Sequence, residues 1–96
     1  MNMIELLNIL TPKDRCVQVA QRFKQRRKEL GLSQQQMSEK SGVSLGSLRR
    51  FEQTGEISFH SLARLAQALG YADDLDCLFG KRAFKSIQEV IDAQSK

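Results

Sequence analysis

Tryptophan is absent from this 96-residue chain, and proline, tyrosine and histidine occur once each. Scarce proline and few aromatic residues, together with apolar positions that recur every three to four residues, favour an all-α fold. One histidine and two widely separated cysteines leave no metal-ligand spacing, so no metal site is expected. His, Cys, Ser and carboxylate side chains are not clustered at catalytic spacing, and no Gly-rich phosphate loop is present. An enzyme is therefore not expected, nor is a cofactor. No apolar run is long enough to span a membrane. The first residues lack a basic region followed by an apolar core, so no secretory signal is expected and the cytoplasm is the expected compartment. In that reducing setting Cys16 and Cys77, both within expected helices, read as small buried hydrophobes.

What the chain does carry is positive charge. Fifteen Lys and Arg against eleven Asp and Glu give a formal charge of +4, which suits an anionic partner. Its placement is uneven. Lys13, Arg15, Arg22, Lys24, Arg26, Arg27 and Lys28 gather in the first third, while Asp73, Asp74 and Asp76 gather late. The length suits one small domain, of a size often helped by oligomerisation.

Asn2–Leu10 is apolar on nearly all sides of a short expected helix. It either lids its own core or meets a second chain. Thr11, Pro12 and Asp14 then start a longer helix as N-cap, first helical residue and first-turn acid. Cys16, Val19, Ala20, Phe23, Arg27 and Leu30 trace its inward stripe, and Gly31 ends it. Ser58 caps a later helix, Phe59 to Leu69, with Leu62, Leu65, Ala66 and Leu69 inward and Gly70 as the stop. His60, near its start, reads as a solvated surface residue. Asp73 or Asp74 opens a short helix carrying Leu75, Leu78 and Phe79, closed by Gly80. Beyond Lys81, Phe84, Ile87, Val90 and Ile91 share one face, and Ser86 with Glu89 fits a capping box. This amphipathic tail is too short to be stable alone. It docks on its own domain, on a second copy, or on another protein. The expected division is an N-terminal extension 1–11, a domain 12–80 and a tail 81–96.

The informative stretch is Gln34–Gln53. Ser33 is a good N-cap, Met37 faces inward, and Gly42 follows near Ser41, where a left-handed turn favours glycine. Val43 plugs the corner and Ser44 caps a second helix. That helix turns Leu48, Phe51 and Glu52 inward and Leu45, Gly46, Arg49, Arg50 and Gln53 outward, with Ser44 and Ser47 on the flanks. The small Ser38 permits close approach of the two helices. This is helix-turn-helix spacing. The run GLSQQQMSEKSGVSLGSLRRFEQTGE resembles the Cro/C1-type (XRE) helix-turn-helix family at Gly31, Leu32, Ser33, Gln34, Gly42, Val43, Ser44, Leu48, Phe51, Glu52 and Gly55. The resemblance covers roughly residues 17–79 and implies a compact five-helix bundle.

By that resemblance the second motif helix enters the DNA major groove, with Leu45, Gly46, Arg49 and Arg50 placed to read bases. Gln34, Ser44, Ser47, Thr54 and Gly55 would hold phosphates, with less specific charge from Arg22, Arg26 and Lys40. Leu45 and Gly46 stand where relatives often carry polar residues, so hydrogen-bonded readout falls to the two arginines. Either one could instead clamp phosphate or only solubilise the helix. Arg27 and Glu52 are implied to form a structural ion pair. Family members typically bind as twofold dimers, which implies a homodimer on a palindromic operator in double-stranded DNA. The dimer surfaces available are the short helix from Asp74, the N-terminal segment and the tail residues Phe84, Ile87, Val90 and Ile91.

The segment GEISFHSLARLAQALGYADDLDCLF and the tail resemble the HipB-type antitoxins encoded beside HipA-type toxin kinases. This implies an autoregulating repressor that binds a HipA-type kinase toxin or a related operon protein. A free-standing or phage-type repressor, or an interaction adaptor on the same fold, are the alternatives. The tail departs from antitoxins whose tails are extended strands.

Overall fold

The computed structural model describes residue 3, residues 9–82 and residues 87–94. Among the described residues the chain forms six helices and no strand: α1 Pro12–Glu29, α2 Gln34–Ser41, α3 Leu45–Thr54, α4 Phe59–Leu69, α5 Ala72–Asp76 and α6 Ile87–Gln94. It is the all-α fold that the apolar periodicity favours, and α1–α5 make the five-helix bundle that the resemblance implies.

Each long helix begins with a side chain that satisfies an orphan backbone amide. The Thr11 hydroxyl accepts from the Asp14 N–H at 3.0 Å, and the Asp14 carboxylate accepts from the Thr11 N–H at 3.0 Å. The bond from the Thr11 N–H, and after it the Thr11 hydroxyl beside the carboxyl, hold Asp14 below its ordinary value. Ser33 and Gln36 repeat the same box at the start of α2. Ser58 caps α4, which runs from Phe59 to Leu69 with left-handed Gly70 behind it.

The core forms where α1 lies against α3 and where α2 meets α3 and α4. It consists of Ala20 and Phe23, Met37, Val43, Leu48 and Phe51, and Leu65. The Phe23 and Phe51 rings tilt at 58° with centroids 5.5 Å apart, a favourable aromatic arrangement. Leu32, Ile57, Leu62 and Leu69 pack around this cluster.

Three expectations are corrected. Leu30 is exposed, because α1 stops at Glu29 and Gly31 (φ 71°) reverses the chain, so that Leu32 enters the core in its place. Both cysteines are exposed rather than buried. The turn at Gly55 abuts the backbone of Cys16 and Val17 and so covers main chain there, not the thiol. Helix α5 starts at Ala72, closes at Asp76 and leaves Cys77 as its cap. The chain then turns through Phe79 (φ 58°) rather than Gly80, leaving Leu78 half exposed and Phe79 almost wholly so.

The expected Asn2–Leu10 helix lies outside the described residues except at Met3, Ile9 and Leu10, of which Met3 and Ile9 are exposed. Phe84 and Ser86 also lie outside them. Ile87, Val90 and Ile91 fall in α6, and Ile91 is exposed.

Candidate functional site

Helices α2 and α3 are joined by Gly42, Val43 and Ser44. Gly42 has φ 77°, and a Cβ placed on it would meet nothing within 4 Å. The requirement for glycine there is conformational rather than steric. Its N–H donates to the Ser38 carbonyl at 2.9 Å. Ser38 does more than stay small. Its hydroxyl donates to the Val43 carbonyl at 2.6 Å, while the Val43 N–H donates to the Ser41 hydroxyl at 3.1 Å. The Ser44 hydroxyl accepts from the Ser47 N–H at 3.2 Å and starts α3. The Ser38, Ser41 and Ser44 hydroxyls and both backbone groups of Val43 are thus bonded within the corner, which helps hold the two helices at their angle.

Helix α3 divides cleanly. Leu48 and Phe51 are buried. Glu52 is 2 % exposed at its side chain and meets Arg27, 7 % exposed. Arg27 Nε donates to Glu52 Oε2 at 2.8 Å and its Nη2 to Oε1 at 2.9 Å, while its Nη1 donates to the Leu32 carbonyl at 2.8 Å. This fork ties α1 to α3 and to the chain entering α2. The Gln34 amide adds a further bond, Nε2 to Glu52 Oε1 at 3.1 Å.

On the opposite face Gly46, Ser47, Arg49, Arg50 and Gln53 are exposed, and Leu45 is half-buried. Arg49 Nε donates to Gln34 Oε1 at 3.4 Å. Arg50 Nε donates to Glu56 Oε2 at 3.0 Å, and its Nη2 reaches the same oxygen. Both members of that pair are well exposed (70 % and 59 %), so it contributes only about 0–1 kcal/mol and yields readily to another partner. Beside it, Ser47, Arg50, Glu56, Ile57, Ser58 and Ser61 line an open groove.

The structure changes the account of two expected phosphate ligands. Gly55 is buried, its N–H donates to the Phe51 carbonyl at 2.8 Å, and its left-handed turn (φ 81°) lies against Cys16 and Val17. It has neither a free amide nor an open surface to offer. The Thr54 hydroxyl donates to the Arg50 carbonyl at 2.7 Å and accepts from the Glu56 N–H at 3.1 Å. Both residues are engaged in ending α3. Ser44 and Ser47 are exposed and joined by a 2.9 Å hydroxyl–hydroxyl bond.

Sequence reasoning did not find Glu56, the carboxylate facing Arg50, nor the link from Gln34 to Glu52 and Arg49. An Arg–Glu separation of six residues across a glycine turn fits no helical period, so the pattern held no signal for it. Among the described residues, no His, Cys, Asp or Glu side chains group as a metal site, and no helix is long and apolar enough to cross a membrane.

A helix-turn-helix family model matches residues 23–75, from the middle of α1 into α5. No curated protein and no solved structure matches the chain.

Proposed function

This chain belongs to the Cro/C1-type (XRE) helix-turn-helix family of DNA-binding regulators, and from that premise we propose that it is a sequence-specific transcriptional repressor of its own operon. The observation that carries this is the outward face of α3. Arg49 and Arg50 stand exposed on a helix whose other face is locked into the core, the arrangement a helix in the major groove requires. Base reading is assigned to Arg49 and Arg50, with Gly46 permitting close approach and Leu45 available to a thymine methyl. Ser44, Ser47 and the N-terminus of α2 beside Gln34 position the phosphates. One such domain spans few base pairs, so the acting species is a homodimer on a palindromic site. Residues 12–80 form the DNA-binding domain, with 1–11 and 81–96 as extensions that serve contacts between chains.

Within this function the chain is the antitoxin of a HipA-type operon. The support is the likeness of the segment from Gly55 to Phe79 to HipB-type antitoxins. A free-standing repressor is the second reading, favoured by the helical form of α6 where such antitoxins carry extended tails. A gel-shift against the DNA upstream of its own gene, with unrelated DNA as competitor and salt varied, tests the repressor. A specific, salt-sensitive complex with two protein copies is expected, and no preference for that DNA overturns it. Adding the neighbouring gene product tests the antitoxin: a supershifted complex is expected, and no association leaves the free-standing repressor.

A further inference from the structure

We propose that Gln34 is a specificity-positioning residue, which carries the fixed geometry of the buried Arg27–Glu52 pair outward to Arg49 and so sets the base that Arg49 discriminates. This rests on the DNA-reading role of α3 given above.

The chain of bonds has a direction that chemistry dictates. Arg27 can only donate and Glu52, ionised, can only accept. Both Glu52 oxygens are held by the Arg27 fork, and burial of the pair fixes them in place. Glu52 Oε1 takes one further donor, the Gln34 NH₂ at 3.1 Å. That choice settles the Gln34 amide: turned round, it would set its oxygen against the Glu52 carboxylate and its NH₂ against a guanidinium. The carbonyl end therefore faces Arg49, which again can only donate, and accepts its Nε–H at 3.4 Å. A neutral side chain with a donor at one end and an acceptor at the other is what this position needs. Glutamate would oppose Glu52, and lysine or arginine would oppose Arg49.

The consequence lies in which edge of Arg49 remains. With Nε–H engaged by Gln34, the Nη1–Nη2 edge is left to face a partner, and its paired donors match guanine O6 and N7. An arginine side chain otherwise samples many rotamers, and holding it before contact removes part of that ordering cost. The bond to Glu52 uses one of the two Gln34 NH₂ donors, so a phosphate contact by Gln34 would have to come from the other or from its backbone N–H. The neighbouring Gln35 instead donates from Nε2 to Glu39 Oε1 at 3.2 Å, along the exposed side of α2.

The test is binding-site selection from a random duplex library with the purified full-length protein. The set is wild type, Gln34→Met, Arg49→Ala, the double variant and Arg49→Lys. Arg49→Ala should abolish discrimination at one position of each half-site. Gln34→Met should weaken it at that same position by about fivefold, the equivalent of one net hydrogen bond, and leave the others intact. In the Arg49→Ala background, Gln34→Met should remove nothing more at that position. Arg49→Lys leaves Gln34 and the buried pair untouched but lacks both the Nε donor and the paired Nη edge, so it should flatten the same position even if Gln34→Met proves unable to fold. A uniform loss across all positions with Gln34→Met, equal in both Arg49 backgrounds, would make Gln34 a phosphate contact and overturn the proposal. So would full discrimination by Arg49→Lys. Failure of the wild type to enrich any motif would instead remove the DNA-reading role itself, and the proposal with it.

Discussion

Removing Glu52 is the sharpest probe of how this fold is held. Glu52→Ala would leave the Arg27 guanidinium, 7 % exposed, with the Leu32 carbonyl as its one remaining partner out of the three contacts it now makes. An uncompensated buried charge of this kind costs about 3–5 kcal/mol. For a domain of this length, 1 kcal/mol shifts Tm by roughly 4–8 °C, so a fall of at least about 12 °C is expected. Small domains hold only about 5–15 kcal/mol in all, and the loss takes a large share. The paired change Arg27→Met with Glu52→Met removes both charges together and should be milder than either single change, because neither partner is then stranded. Thermal melts of the wild type, Glu52→Ala, the two single Met variants and the double Met variant at two salt concentrations form the assay. The coupling should change little with salt, since a buried pair is poorly screened. A Glu52→Ala loss below about 1 kcal/mol, the range of exposed pairs, would refute the claim that this fork anchors α3 to α1.

Gly55→Ala and Gly42→Ala make a matched comparison, since both glycines are left-handed. Gly42→Ala carries only the backbone cost, about 1–2 kcal/mol, whereas at Gly55 a Cβ would also lie 2.8 Å from Cys16 C and Val17 N, so its melting point should fall further. Equal losses would mean that the turn does not press on α1. Glu56→Gln removes the carboxylate facing Arg50 and should raise affinity for both operator and unrelated DNA in salt titrations. A fall in affinity would instead give Glu56 a role in aiming Arg50. Asp14 is held below its ordinary carboxyl value of 3.8, so its contribution to stability is present above that value and is lost as pH falls through the lower folded-state value. Asp14→Asn should therefore flatten the acid limb of a Tm–pH curve, and an unchanged limb would show that the cap does not titrate with folding.

The helix boundaries were the most legible feature, because caps are local chemistry. Thr11, Ser33, Ser44 and Ser58 each accept a bond from an amide three residues on, and that requirement shows in residue type alone. The buried faces were legible for a related reason: Ala20, Phe23, Met37, Leu48, Phe51 and Leu65 recur at helical period. Periodicity fails where a partner helix stops. Leu30 and Phe79 continue apolar stripes past the point where anything covers them, and nothing in the local pattern marks that limit. The candidate site was legible only as a set of outward positions. What Arg49 and Arg50 touch is decided by contacts across 15 and 6 residues of chain, which require the folded corner to exist first.

The hydroxyls of Ser38, Ser41, Ser44 and Thr54 all satisfy groups within the motif, which narrows what α3 can present to DNA. Of its two exposed arginines, Arg50 is paired with a carboxylate and Arg49 with a neutral amide. In the unbound protein the reading face therefore carries less unopposed charge than its residue types suggest. On the proposed DNA-binding role, sequence-independent attraction to phosphates then falls more to other cations, and Lys13, Arg15, Arg22, Lys24 and Lys28 of α1 are exposed. Such a division separates how strongly the protein binds from what it binds. Charge on α1 could change with little effect on sequence choice. On the proposed assignment, a substitution at Arg49 alters sequence choice while leaving the core of Leu48, Phe51 and the buried ion pair in place.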